Sequence, residues 1–174
     1  MSVKDTMVSI NRFYSVFLLL VSALFLTGCW PFGSTQESVV ETKKPELVII
    51  NVLDKSEFDD CHIKGSINIP FDEFESKIKS LNKNNHYVLY CADYMCMSSG
   101  FCANLLRNAK FEHVWAYEGG MAEWYQKGYP YQGPAELDYL RGENENVAED
   151  EESDVPTISA EQLVEKIEQF ASKE

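Results

Sequence analysis

Residues 86–109 read HYVLYCADYMCMSSGFCANLLRNA, and this stretch joins a strand, a cysteine and a helix. The apolar and aromatic run from His86 to Tyr90 is typical of a short buried strand. Ser98 to Ala109 has apolar residues at helical spacing, and Ser98 or Ser99 is a suitable N-cap. Cys91 is therefore expected directly after a strand and before a helix, at the strand end where α/β sheets carry their chemistry.

The same alternation continues on both sides of this stretch. Buried strands are predicted at 46–52 and 114–117, a helix over 71–81, and a short helix from Met121 to Gln126. Strands that alternate with helices predict a single α/β domain with a central, mostly parallel sheet flanked by helices.

Cys91 is the candidate nucleophile. A cysteine before a helix meets unpaired backbone N–H groups and the positive end of the helix dipole, so the pKa of its thiol is expected to fall. The alternative is a buried strand-end cysteine without reactivity.

Cys96 lies five positions later in the same loop, where it could act as a resolving thiol and form a disulfide with Cys91. The alternative is a loop cysteine that only fills a pocket. Cys102 is expected to pack in the core, and Cys61 is expected to be structural. No compact set of four ligands occurs, so we expect no metal and no cofactor.

Two segments match a known family in order and spacing. LVIINVLDKSEFDDCHIKGSINIP at 47–70 resembles the opening signature of the rhodanese family, and 90–130 resembles its second half. In that half a strand ends in the catalytic cysteine, a helix follows, and Gly-Gly-x-x-x-Trp closes the domain. The resemblance covers roughly residues 46–132 and implies a rhodanese-like domain.

The resemblance implies sulfur transfer with Cys91 as the catalytic residue, which accepts a sulfane sulfur as a persulfide. A small sulfur donor, an acceptor thiol or a protein thiol would be its partner. The loop whose backbone N–H groups would stabilise the persulfide comprises Ala92, Asp93, Tyr94, Met95, Met97 and Ser98.

The loop departs from the family pattern, which has four variable residues and then Arg and Ser or Thr. No Arg or Lys occurs between Cys91 and Gly100, and Asp93 adds a negative charge. Thiosulfate is therefore disfavoured as a donor, and a phosphatase would need an Arg at Met97 or Ser98. Two other functions stay open: a thiol–disulfide redox protein that uses Cys91 and Cys96, and a binding module that has lost catalysis.

The N-terminus is typical of a bacterial lipoprotein. Lys4 and Arg12 precede an apolar stretch at 13–26, and Leu-Thr-Gly-Cys ending at Cys29 resembles a lipobox. We expect lipidation at Cys29, a bilayer as partner and an extracytoplasmic location, with Trp30 favouring the outer membrane. An uncleaved membrane helix is the alternative.

The net charge and the composition of the segments complete the predicted domain organisation. The net charge of −13 argues against nucleic-acid binding. We expect a signal peptide at 1–28, a tether at 29–45, the rhodanese-like domain at 46–133, an acidic linker at 134–156 and a strand and helix at 157–174.

The last of these segments, PTISAEQLVEKIEQF at 156–170, has a helical apolar stripe, and Ser159 with Gln162 fits a capping box. Domains of this family usually begin with such a strand and helix, for which the tether leaves no room. We expect the segment to fold back and supply the missing element. Its alternatives are a free helix on a flexible linker and the start of a truncated repeat.

Overall fold

The computed structural model describes residues 44–144 and 155–172. The predicted signal peptide, Cys29, nearly all of the tether and the centre of the acidic linker lie outside the described residues. The strands of the described part are β1 (Leu47–Asn51), β2 (His62–Ile63), β3 (Ile67–Asn68), β4 (His86–Tyr90), β5 (Val114–Tyr117) and β6 (Tyr131–Gln132). Its helices are α1 (Lys55–Asp60), α2 (Phe71–Lys77), α3 (Ser98–Asn108), α4 (Gly120–Gln126) and α5 (Ala160–Ala171), with 3₁₀ turns at Ile78–Ser80 and Asp138–Arg141.

A parallel sheet forms the centre of the domain. Its strand order is β3-β1-β4-β5, and every neighbouring pair is parallel. Strands β2 and β6 form a separate antiparallel ribbon. The predicted α/β fold with a central parallel sheet flanked by helices is confirmed.

The sheet is covered on both faces because side chains alternate along each strand. Ile50 and Leu89 point to the layer that contains α2 and α3, while Ile49 and Val88 point to the layer that contains α4 and α5. Each layer holds its own hydrophobic core, as expected for a parallel sheet with helices on both sides.

Helix α3 begins at Ser98 as predicted, but the predicted cap is wrong. Met97 occupies the N-cap position and makes no side-chain cap hydrogen bond. Ser99 is buried inside the first turn, and its hydroxyl oxygen faces Cys91. The Ser99 hydroxyl therefore contacts Cys91 and does not cap the helix.

The domain extends beyond residue 133, where the sequence led us to expect a linker. Ala135 and Leu140 are buried, and the Asp60 carboxylate accepts the backbone N–H groups of Glu136 and Leu137. These contacts tie the 3₁₀ turn Asp138–Arg141 to the domain.

The described C-terminal residues, 155–172, lie along the outer edge of β5. Thr157 forms a parallel bridge with Ala116, whose N–H donates to the Pro156 carbonyl and whose carbonyl accepts from Ile158 N–H. Leu163 of α5 is fully buried, and the capping box between Ser159 and Gln162 is present.

Within the described ranges, no helix combines the length and the apolarity that a membrane crossing requires.

Candidate active site

Cys91 lies at the carboxyl end of β4, one of the two inner strands of the sheet, and is fully buried. The N-terminus of α4 holds the start of the loop, since Met121 N–H donates to the Cys91 carbonyl (2.9 Å) and Ala122 N–H to the Ala92 carbonyl (2.8 Å). Gly120 has a φ of +61°, and a Cβ there would lie 2.6 Å from the Ala92 carbonyl carbon. The close approach of α4 to the loop therefore requires glycine.

The Cys91 sulfur contacts a backbone carbonyl and a side-chain hydroxyl. It lies 2.8 Å from the Cys96 carbonyl oxygen and 3.4 Å from Ser99 Oγ. The hydrogen bond to the Cys96 side chain, and then burial, raise the pKa of the Cys91 thiol. The hydroxyl and backbone N–H of Ser99, in the first turn of α3, lower the pKa of Cys91 as the sequence led us to expect, but the contact with the Cys96 side chain and burial outweigh them.

Cys96 receives hydrogen bonds that favour its thiolate form. The hydrogen bond from the Cys91 thiol lowers the pKa of Cys96 to about 5, and the backbone N–H groups of Ser98 and Ala92 act in the same direction against burial. Donors directed at a sulfur favour its charged form. The two side chains therefore share a hydrogen bond that favours a single negative charge on the pair.

Negative and neutral groups surround this thiolate. Burial raises the pKa of Glu57 in α1, and the nearby charges of Asp54 and Cys96 add to that rise. The Asp93 carboxylate accepts the backbone N–H of Met95 and so stabilises the turn of the loop. No Lys or Arg lies between Cys91 and Gly100 to add positive charge.

The remaining predicted loop residues lie around the two sulfurs. Tyr94 N–H donates to the side-chain oxygen of Asn144, whose amide donates to the Gly119 carbonyl. Met95 and Met97, on either side of Cys96, are 74% and 80% exposed. Cys96 thus lies on a surface segment, although its own side chain is partly buried.

Cys61 and Cys102 do not belong to this site. Burial raises the pKa of Cys61 to about 11 and that of Cys102 to about 12. None of the described cysteines forms a disulfide. In the described residues no cluster of three His, Cys, Asp or Glu side chains could hold a metal ion.

Sequence reasoning missed three residues of the site. Ser99 could have been found from the Ser or Thr that the family pattern carries after its loop Arg. Glu57 belongs to the Glu-Phe pair of the first motif. No sequence signal indicates Asn144, because its role depends on where residue 144 returns to the loop.

The family model for the rhodanese-like domain matches residues 35–127, just over half of the chain. This protein belongs to the rhodanese-like domain family. The match includes both cysteines of the loop and the Gly-Gly-x-x-x-Trp motif.

Two curated relatives and one solved structure illustrate the range of the family. An HTH-type transcriptional regulator of Mycobacterium tuberculosis is 31% identical over 49% of this chain, and the rhodanese-like chain spans only 37% of the regulator's length. A thiosulfate sulfurtransferase of Tolumonas auensis is 26% identical over 56% of this chain and 90% of its own length. A rhodanese-like domain from Anabaena sp. is 33% identical, with a TM-score of 0.45, over 49% of this chain and 98% of that chain.

Proposed function

We propose that this protein is a sulfurtransferase or persulfide carrier whose reacting atoms are the sulfurs of Cys91 and Cys96. The observation that carries the proposal is a pair of cysteines in the family's active-site loop, with Cys91 directly after β4 and its sulfur 3.4 Å from Ser99 Oγ at the start of α3. A thiolate is the form of cysteine that attacks sulfur. Cys91 occupies the position of the family's persulfide-bearing cysteine.

The donor that suits this site is a persulfide or polysulfide rather than thiosulfate. The loop offers a dianion no cationic side chain, and Asp93 and Glu57 add acidic groups close to it. Like charges repel, most strongly where the site is partly desolvated. An acceptor thiol, small or on a protein, then removes the sulfur.

Intact mass of the full chain in detergent tests this function. After treatment with glutathione persulfide, we expect the wild-type protein to gain one sulfur atom or to lose two hydrogens while it releases sulfide. A double variant, Cys91→Ala with Cys96→Ala, should do neither, whereas Cys61→Ala should behave like the wild type. A wild-type protein that stays unchanged would overturn the proposal and favour a binding module without catalysis.

A thiol–disulfide redox protein is the second candidate. The hydrogen-bond contact between the Cys91 and Cys96 side chains favours it, because a thiolate beside a thiol is the arrangement from which an intramolecular disulfide closes. Oxidised glutathione as the probe distinguishes this candidate. A disulfide that forms readily with oxidised glutathione, without any persulfide intermediate from the persulfide donor, would favour the redox function.

We further propose that the protein is a lipoprotein, anchored through an acylated Cys29 on the outside of the cytoplasmic compartment. The charged, apolar and lipobox-like segments of 1–29 support this location. The test is fractionation of cells that express the wild type or Cys29→Ala. The wild type should sediment with membranes and carry added acyl mass, and the variant should lack that mass. Wild-type protein without acyl mass would contradict the anchor.

A further inference from the structure

Cys91 is closed off from solvent by its own loop. The residue is 0% exposed, and its sulfur lies 2.8 Å from the Cys96 carbonyl oxygen and 3.4 Å from Ser99 Oγ. Met95 and Met97 are exposed, so the outer part of the loop lies at the surface. A sulfur donor can therefore reach the Cys91 sulfur only when the loop moves away from it.

Contacts from outside the loop meet at Tyr94, in the middle of this segment. Its backbone N–H donates to Asn144 Oδ1 (3.1 Å), and the Asn144 side-chain amide donates to the Gly119 carbonyl (3.1 Å). A single side chain thus joins the loop to the turn that leads into α4. The Tyr94 hydroxyl lies near the Glu123 carboxylate of the same helix, and burial, followed by this carboxylate, raises the pKa of Tyr94 to about 12.

The segment that carries Asn144 is itself fixed to the domain. Gln126, at the end of α4, donates its side-chain amide to the carbonyls of Leu140 (3.2 Å) and Gly142 (2.9 Å). The Leu140 side chain is fully buried. Asn144 therefore reaches the loop from a fixed position, and it does so from beyond residues 35–127, which the family model matches.

We infer that Asn144, placed by Gln126, is a positioning residue that holds the loop closed over Cys91, so that access to the Cys91 sulfur requires its hydrogen bonds to break. This inference rests on the proposed function, in which Cys91 takes up sulfur, and adds a residue that controls when that sulfur can be reached. Local opening depends on the few contacts that hold a surface segment. Loss of the Asn144 hydrogen bonds should therefore raise the population of the open loop by about threefold to tenfold.

Alkylation by N-ethylmaleimide, mapped by peptide mass on the full chain in detergent, tests the closed loop without sulfur transfer. A Cys96→Ser background leaves Cys91 as the loop thiol and keeps the backbone carbonyl that covers it. In this background we expect Asn144→Ala to speed Cys91 alkylation by about threefold to tenfold. Cys102 is also fully buried, and its alkylation rate should not change. Asn108→Ala is the matched control, because it removes an amide hydrogen bond at the far end of α3.

Gln126→Ala tests how Asn144 is placed. This variant leaves Asn144 unchanged but frees the carbonyls of Leu140 and Gly142, so it should also speed Cys91 alkylation. The double variant with Asn144→Ala should be no faster than Asn144→Ala alone, because both residues act through the same contact with the loop. A double variant whose rate is the product of the two single effects would overturn the placement of Asn144 by Gln126. Thermal unfolding checks that each variant folds.

Sulfur uptake from glutathione persulfide gives the second readout, with both loop cysteines present. Asn144→Ala should load sulfur on Cys91 faster than the wild type and lose it faster to added glutathione, because the closed loop hinders both steps. Unchanged uptake, Cys91 alkylation no faster than in the Asn108→Ala control, or an equal rise at Cys102 would overturn the inference. If the wild type takes up no sulfur, the proposed function fails, while the alkylation rates still test whether Asn144 holds the loop closed.

Discussion

Cys91 and Cys96 are the same residue type five positions apart, but different backbone groups contact their sulfurs and change their pKa values in different directions. The carbonyl of Cys96 and the N–H and hydroxyl of Ser99 face Cys91, whereas the N–H groups of Ala92 and Ser98 face Cys96. Fixed backbone dipoles of this kind change a pKa without any charged side chain. This explains how a loop that lacks Arg and Lys can still hold a thiolate.

The pKa of this single residue predicts how the rate of Cys96 alkylation depends on pH. Because the pKa of Cys96 lies at about 5, the thiolate predominates at neutral pH, and protonation removes it as the pH falls through that value. We expect the rate of Cys96 alkylation by iodoacetamide to reach half of its plateau near pH 5. Cys91→Ala removes the leading donor and should move the midpoint to higher pH. A midpoint for Cys96 near that of an ordinary cysteine would contradict the assignment.

Glu57 provides an independent electrostatic test. Its carboxylate interacts with Cys96, so its negative charge disfavours the thiolate. We expect Glu57→Gln to lower the midpoint pH of Cys96 alkylation and Glu75→Gln, an exposed site on α2, to leave it unchanged. Equal midpoints in wild type and Glu57→Gln would show that this carboxylate does not influence the sulfur.

At the scale of elements, the loop depends on its contact with α4. Two N–H groups at the start of that helix donate to the carbonyls of Cys91 and Ala92, and Gly120 lets the two backbones approach. The contact therefore ties the start of the loop to the N-terminus of α4.

Gly120→Ala should damage this contact. Its Cβ would overlap the Ala92 and Asp93 backbone at 2.6 Å, and φ is positive, so we expect a loss of about 3 kcal/mol in the free energy of unfolding together with slower Cys96 alkylation.

Gly100→Ala is the matched control, because it lies in helix α3 with nothing within 4 Å of its Cβ. It should raise stability by about 0.5–1 kcal/mol. Urea unfolding and alkylation rates measure both effects, and similar values for the two variants would refute the role of Gly120.

At the scale of the whole molecule, the C-terminal segment completes the domain. Residues 156–158 pair with Ala116 at the edge of β5, and α5 covers the core that Leu163 enters. A parallel sheet is stable only when both of its faces are covered. The segment thus folds back against the domain.

Deletion of residues 155–174 should therefore destabilise the domain. The deletion exposes the core around Leu163 and the edge of β5, and we expect a loss of more than about 3 kcal/mol and a tendency to aggregate. A chain that lacks only residues 173 and 174 is the control. Thermal unfolding measures the difference, and equal stability of the two truncated chains would mean that α5 is an independent appendage.

The pattern of residues along the sequence was enough to predict much of the fold and the position of the active-site loop. Hydrophobic periodicity predicted the strands that end at Asn51, Tyr90 and Tyr117, and motif order predicted the family and the loop that starts at Cys91. The capping box at Ser159 was also readable, since all of its partners lie within one helical turn. Such features depend on residues that are close in sequence, so the sequence contains them directly.

Tertiary structure alone decided the chemistry of the loop. Which cysteine is the thiolate depends on where backbone N–H and carbonyl groups point, and that follows from the packing of Gly120, Ser99 and Asn144 against the loop. The sequence placed Cys91 before a helix and so predicted an anion there. In the folded loop, Ser99 donates to Cys91 while Ala92 and Ser98 donate to Cys96. The sequence could not show this, because hydrogen bonds and burial depend on positions in space rather than on spacing along the chain.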